Sequence, residues 1–411
     1  MPFLAFVRDN VRWLAGGFLL TFFSSFGQTF FIALSAGSIR NEFDLSHGAF
    51  GSIYMIATLA SALTLTQLGK IVDYVSVSKV ALIIIPALAI ACLGMAFTSN
   101  LVMLVIVIYG LRLFGQGMMT HNAITAIGRW YVGQRGRAVS VVTVGHQVGE
   151  AALPILYVSI VAFVGWRETW MMAAGVLILF ALPLSYGLMR VERRPQSTDG
   201  AERRASVRDW TRPEVLRDPF FWLVCIGLLA PSFIGTTIFF HQVYLIELRG
   251  WSVGAFAGSY AFMAVMTVCL ALIAGVLVDR FTAVALLPSF LLPLAGACFI
   301  LGLVEAQWGV FAFMALVGVS YGLSSTLFGA VWPEMYGTAH LGSIRAIVVA
   351  LMVFASAMGP GVTGFLIDFH IAYPLQILAM GIYCIVVCLL MVMVGRKVAE
   401  RNRADAAATA A

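Results

Sequence analysis

The stretch VALIIIPALAIACLGMAF runs from Val80 to Phe97 without a charge, and LVMLVIVIYGL, Leu101 to Leu111, follows almost at once. A helix of about 20 apolar residues, rising about 1.5 Å per residue, crosses a hydrocarbon core about 30 Å thick. Repeated runs of this kind leave little choice of fold. Twelve candidate spans are expected, near residues 12–37, 46–69, 79–98, 101–128, 138–164, 168–189, 219–245, 252–277, 283–304, 308–332, 343–366 and 372–395. Composition agrees: 61% of residues are hydrophobic and 11% charged, against about 45–50% and 25% in a soluble domain. No cleavable signal peptide is expected, because MPFLAFVRDNVRW leads into an apolar segment long enough to span.

The net charge of +6 does not point to nucleic acid, because the basic residues gather at span ends. Arg129, Arg135 and Arg137 follow span 4, eight arginines lie between Arg190 and Arg217, and Arg396, Lys397, Arg401 and Arg403 follow span 12. The alternate loops hold only Arg40, Arg167 and Arg249, each with an acidic residue nearby. By the positive-inside rule both termini and the link between spans 6 and 7 are expected to be cytoplasmic, in a multi-pass protein of the cell membrane. Cys92, Cys225, Cys269, Cys298, Cys384 and Cys388 all fall inside spans, with spacing that suits neither a disulfide framework nor zinc. No metal or cofactor is expected. The chain shows no nucleotide loop and no nucleophile–base constellation, so an enzyme is not expected either.

A repeat sets the architecture. SHGAFGSIY (Ser46 to Tyr54) resembles SVGAFAGSY (Ser252 to Tyr260), 206 residues on. At that offset Gly69 meets Gly275, Val72 meets Val278, Asp73 meets Asp279, Gly136 meets Gly342 and Pro154 meets Pro360. Six spans per half give parallel repeats about an axis along the membrane normal. The expected fold is therefore all-α: two pseudo-symmetric six-helix bundles. Residues 1–189 form the first half, 190–218 a cytoplasmic link, 219–395 the second half and 396–411 a cytoplasmic tail. Two complete halves leave no need for a second subunit, so a monomer in the lipid bilayer is expected.

On these motifs the chain resembles the major facilitator superfamily over essentially its whole length. GKIVDY (Gly69 to Tyr74) and GVLVDR (Gly275 to Arg280) look like the family's loop motif and its copy. RLFGQG (Arg112 to Gly117) looks like its span-4 motif, GHQVGEAALP (Gly145 to Pro154) like that of span 5, and GRWYVGQRGRA (Gly128 to Ala138) like the basic turn before it. The first loop motif departs at Tyr74, where the family usually has a basic residue, while the second keeps Arg280. The resemblance assigns Gly69, Asp73, Gly275, Asp279, Arg280, Pro154 and Pro360 to gating and helix packing, with a salt bridge between halves more at home around Asp279 and Arg280. Gly145, Gly149 and Gly359 would allow close packing near the prolines.

Ionisable residues inside spans cost at least about 2.5–3.5 kcal/mol each and usually face a partner or a wet cavity. Arg112 lies mid-span 4, and His121, nine residues on, is about 180° round an α-helix from it. His146 and Glu150 share one face of span 5. Glu150 lies about 18 Å along its helix and Arg112 about 24 Å along its own, so their depths allow one buried polar network. Glu150 is either the proton-coupling site, with protons as the candidate coupling ion, or the group that holds Arg112 ready for an anionic substrate. The alternative is a static ion pair that fixes packing. His146 is a proton relay or a neutral histidine bonded to a backbone carbonyl. The repeat places Met352 and Ser356 opposite His146 and Glu150, so these ionisable groups belong to one half only.

Uncharged hydrogen-bonding groups complete the candidate substrate site: Gln28 with Ser24, Ser25 and Thr29 in span 1, His241 and Gln242 with Thr236, Thr237 and Tyr244 in span 7, and Tyr321 and Ser324 with Ser325 in span 10. They suit a small substrate with polar and apolar parts. They equally suit interhelical hydrogen bonds. HQVYLIELRGWS (His241 to Ser252) resembles the outer end of span 7 in the monocarboxylate and oxalate/formate branch, and WPEMYG (Trp332 to Gly337) resembles that branch's span-10 end. That branch typically carries an anion-binding Arg within span 8, but Ser252 to Leu277 has no charge. The counter-charge for an anion then falls to Arg112. The reading is a secondary transporter of a small monocarboxylate-like organic anion, working by alternating access with proton symport or exchange. The alternative is an exporter of amphipathic drugs or metabolites.

Overall fold

The computed structural model describes residues 3–131, 135–191, 193, 208–337 and 340–410. They are helical almost throughout, with no strand among the described residues. Among the described residues eleven helices are long and apolar enough to cross a membrane: Val11–Ala33, His47–Leu68, Val77–Ala96, Leu101–Trp130, Arg137–Val164, Trp166–Met189, Pro219–Phe240, Val253–Val278, Trp308–Tyr336, Ile347–Asp368 and Tyr373–Arg401. These are spans 1–8 and 10–12. Span 9 is broken into Ala283–Leu286 and Leu292–Leu303. Pro288 lies in the break and Pro293 opens the second piece, and a proline ring cannot donate an N–H to the preceding turn. The chain is a twelve-helix multi-pass membrane protein. Apolar side chains such as Ile83, Ile90, Leu179 and Leu389 are exposed on its helices, as lipid contact demands.

The sequence repeat has a local cause at the start of spans 2 and 8. Ser46 Oγ accepts from Ala49 N at 3.1 Å, and Ser252 Oγ accepts from Ala255 N at 3.4 Å. Each serine caps the first turn of its span, satisfying an N–H that has no partner inside the helix.

Contacts divide the chain into two compact units: Met1–Ala201 with Phe239–Tyr244, and Glu202–Ile238 with Leu245–Ala411. A stretch of span 7 thus belongs with the first unit. In the second unit spans 8 and 10 pack most closely, and a Cβ on Gly322 would lie 2.6 Å from the Thr267 carbonyl. Only a glycine permits that approach, as in other membrane helix pairs.

The last helix runs from Tyr373 to Ala410, past the expected span end near residue 395. Its extension returns Arg401 to the base of the second unit. Arg401 Nη1 donates to Asp218 Oδ2 at 2.6 Å and Tyr336 Oη donates to the same oxygen at 2.9 Å. The guanidinium also lies 4.8 Å from the Trp210 ring centre. Nearby, Glu334 of the WPEMYG stretch accepts from Ala283 N and Val284 N at 2.8 and 3.1 Å, anchoring the start of span 9.

Candidate substrate site in the first unit

Span 1 is not one helix. It is α-helical over Val11–Phe23, tightens to a 3-10 turn over Ser24–Gly27, becomes extended at Gln28 and resumes over Thr29–Ala33. The break sits where span 4 approaches. A Cβ on Gly27 would lie 2.7 Å from Gly115 Cα, and one on Gly115 would lie 2.6 Å from Gly27 Cα. Two glycines let the backbones touch. Over Leu111–Met119 span 4 is itself π-helical, a form common at functional sites.

Arg112 lies in that π segment and is 2% exposed. Its Nη1 donates to the Gly27 carbonyl and to Thr29 Oγ1, each at 3.3 Å. Its guanidinium carbon lies 5.3 Å from the Tyr54 ring centre, and Tyr54 Oη is bonded to Thr29 Oγ1 at 2.6 Å. Arg112 Nε is buried and has no partner. The interruption of span 1 frees the Gly27 carbonyl from helical bonding, and the arginine takes it. Gln28 is partly exposed at the same break.

A static ion pair of Arg112 with Glu150, the alternative to a shared polar network, is not present among the described residues. None of the ion pairs among the described residues involves either group. Both are buried, Glu150 at 7% exposure. The reason lies in helix rotation. Span 5 turns Gly145 and Gly149 against span 1, where a Cβ on Gly149 would lie 2.9 Å from the Phe22 carbonyl. Glu150 is one residue, about 100°, away from that face, while Arg112 reaches to the broken turn and to span 2. His146 Nδ1 is buried without a hydrogen-bond partner, and its ring lies 6.5 Å from that of Phe30.

Arg112 and His121 also fail to point opposite ways, because bonds to i+5 in the π segment shift the helical phase. Both meet span 2: Arg112 at Tyr54, and His121 through Nε2 to the Gly69 carbonyl at 3.2 Å. His121 therefore holds the loop motif that begins at Gly69. The side chains of Asp73 and Asp279, and those of Arg135, Arg194, Arg203 and Arg204, lie outside the described residues. Arg280 is exposed, with its guanidinium 5.2 Å from the Phe281 ring, and makes no ion pair among the described residues. A Cβ on Gly275 would meet nothing within 4 Å. Pro154 and Pro360 are buried inside their helices, and a Cβ on Gly359 would lie 2.9 Å from the Phe233 carbonyl of span 7.

His241 and Gln242 are buried and belong to the first unit. Gln242 Nε2 donates to the Phe30 carbonyl at 2.9 Å, just beyond the break in span 1. The His241 ring lies 5.8 Å from that of His47, which meets Tyr244 edge-on at 4.2 Å. Phe240 packs on Tyr54 at 4.7 Å. Tyr54, not singled out from the sequence as a site residue, thus joins Arg112 and Thr29 to the Phe240–Tyr244 stretch. Tyr321 and Ser324 belong to the second unit, where Ser324 Oγ is buried without a partner.

Twelve spans, a broken first helix and a buried arginine beside the break define a carrier-type membrane protein. Residues 17–360 match the Major Facilitator Superfamily, and the chain belongs to that family. The MFS-type transporter pytF of Aspergillus terreus (strain NIH 2624 / FGSC A1156) is 28% identical over 142 residues, 34% of this chain, and the chain spans 45% of that relative's length. Among solved structures, a bacterial homolog of the human lysosomal transporter Spinster, inward-facing and unoccupied, superposes with a TM-score of 0.73 at 16% identity, covering 97% of this chain and 98% of that one. The nucleoside transporter NupG superposes at 0.69 with 13% identity, covering 96% and 99%. At these identities the likeness is one of fold. Membership of this family indicates a transporter rather than an enzyme.

Proposed function

We propose that the protein is a secondary transporter of a small monocarboxylate-like organic anion, with Arg112 as the counter-charge and Glu150 as the proton-coupling group. The observation that carries this reading is the state of Arg112: a buried guanidinium held by one neutral carbonyl, one hydroxyl and one aromatic face, with no carboxylate in ion-pair range. A cation kept so deep without an anion is costly, and a substrate carboxylate would complete it through charge-assisted bonds. Gln28 and Thr29 at the span-1 break supply further polar contacts. Tyr321 and Ser324 are the proposed contributors from the second unit. The resemblance of HQVYLIELRGWS to the monocarboxylate and oxalate/formate branch supports the substrate class.

Transport proceeds by alternating access of the two six-helix halves, in a monomer of the cell membrane whose termini are cytoplasmic. His146 serves as a relay to Glu150. The test is a panel of small acids, lactate, pyruvate and benzoate among them, titrated against the purified protein and against Arg112→Ala. A monocarboxylate should raise the melting temperature of the wild type alone. Equal response of both proteins to every acid would remove Arg112 from the site.

A further inference from the structure

We propose that the site around Arg112 also takes a zwitterion, a small amino-monocarboxylate whose ammonium group bonds Glu150 and replaces the coupling proton, a role that rests on Arg112 as the carboxylate's counter-charge. Arg112 and Glu150 are opposite charges buried in the first unit, and no ion pair among the described residues joins them. Neither is sealed. Arg112 Nε is closed off without a partner, but Nη2, which makes no bond among the described residues, keeps open surface. So do the carboxylate oxygens of Glu150 and Nε2 of His146. Both charges flank the break in span 1. Arg112 Nη1 bonds the Gly27 carbonyl and Thr29 Oγ1. On span 5 a Cβ on Gly149 would collide with Ser25 Oγ, and the His146 ring lies 6.5 Å from that of Phe30. Glu150 follows Gly149 and stands one turn beyond His146, so it borders the same stretch, residues 25–30, from the other side.

Charge balance then decides the cargo. Spans 1, 4 and 6 pack on span 5 within the first unit. Of their charged and histidine side chains, Arg12, His121, Arg129, Arg167 and Glu168 lie toward the span ends, which leaves Arg112 and the span's own His146 at the depth of Glu150. With Arg112 and Glu150 both ionised the site is neutral. A carboxylate alone adds one buried negative charge, which is costly at membrane depth. A proton on Glu150 restores neutrality, and the acid and the proton then travel together. An ammonium group on the solute restores neutrality equally, through a charge-assisted bond to the ionised Glu150. Such a cargo carries its own positive charge and needs no proton. Because Arg112 and Glu150 do not reach each other, the solute bridges them with two charge-assisted bonds of about 2.8 Å and its own length between.

The experiment compares butyrate with its amino counterpart γ-aminobutyrate, and with glycine, β-alanine and 5-aminovalerate as a length series, for binding to the purified full-length protein. Between about pH 5.5 and 8.5 the carboxylate and ammonium groups of these probes stay ionised, so a pH dependence reports the protein. Butyrate should weaken as pH rises, by up to about tenfold per unit for one proton taken up. At least one amino acid of the series should bind with an affinity constant within about threefold across the window. In vesicles its uptake should survive a protonophore that stops accumulation of butyrate. Glu150→Gln should weaken that amino acid at least about tenfold, the loss of one charge-assisted bond, and flatten the butyrate profile. Glu150→Asp draws the carboxylate back by one methylene and should move the preferred solute one carbon longer, which a packing role of Glu150 does not do. Butyrate bound with no amino acid competing overturns the proposal and leaves Arg112 as an anion site. An amino acid whose binding follows pH as butyrate does also overturns it. No binding by butyrate or by any of the series removes both readings.

Discussion

Replacing Arg112 by Gln separates binding from architecture. In a static ion pair, removing one partner strands a buried charge and costs about 3–5 kcal/mol. Here the groups left behind are neutral: the Gly27 carbonyl and Thr29 Oγ1, each at 3.3 Å from Nη1. Two bonds from an ionised donor to neutral acceptors, about 1.5 kcal/mol each, amount to about 3 kcal/mol, and relief of the buried, unpaired charge offsets much of that. The variant should therefore melt within about 4 °C of the wild type, since 1 kcal/mol shifts the midpoint by about 2–4 °C at 150–250 residues and by less in a longer chain. Binding behaves differently. An anion held by two charge-assisted bonds loses about 1.5–3 kcal/mol for each, so affinity should fall at least about 100-fold. The assay is thermal melting of detergent-purified proteins with and without a bound monocarboxylate. At about 100 times the wild-type Kd the ligand stabilises the wild type by about 2.7 kcal/mol, and the variant should gain at most about 0.4 kcal/mol. A ligand shift retained in Arg112→Gln, or a ligand-free loss above about 3 kcal/mol, would refute the reasoning.

Three further outcomes are expected. Glu150→Gln should abolish accumulation of substrate driven by a proton gradient while leaving exchange of internal for external substrate within about twofold; unchanged pH-driven uptake in vesicles would remove Glu150 from coupling. Asp218→Ala strands Arg401 beside Trp210 and Tyr336, and, because the pair is largely but not wholly buried, the loss should be about 2–4 kcal/mol, read as a lower melting temperature. The Thr211 backbone N–H and hydroxyl, with Arg208 beyond them, hold the Glu214 carboxyl below its ordinary range. The order this lends to the short helix Arg212–Arg217 is full above the unfolded carboxylate pKa and is lost as pH falls through the depressed folded value. Amide exchange of Thr211 to Arg217 should rise in that acid window, beyond its intrinsic pH dependence, and Glu214→Gln should show a flat profile there.

Much of the architecture was legible because hydrocarbon thickness leaves a long, uncharged signature. The spans fall close to where apolar runs place them, and Pro288 with Pro293 accounts for the divided ninth. The break in span 1 was hidden. SSFGQT carries no proline, and its interruption depends on Gly27 meeting Gly115, a residue almost ninety positions away. Charges inside spans announced Arg112 and Glu150, but depth along a helix says nothing of rotation toward a neighbour, so their partners were not legible. Tyr54 was visible only as part of the repeat, and what makes it informative is a single contact, the ring beside the Arg112 guanidinium.

The most direct measurement is uptake into vesicles of purified protein under an imposed pH gradient, with a labelled monocarboxylate and an amphipathic dye followed in parallel. The account predicts inward accumulation of the acid, collapsed by a protonophore and absent in Arg112→Gln. Extrusion of the dye with no accumulation of any small acid would contradict it.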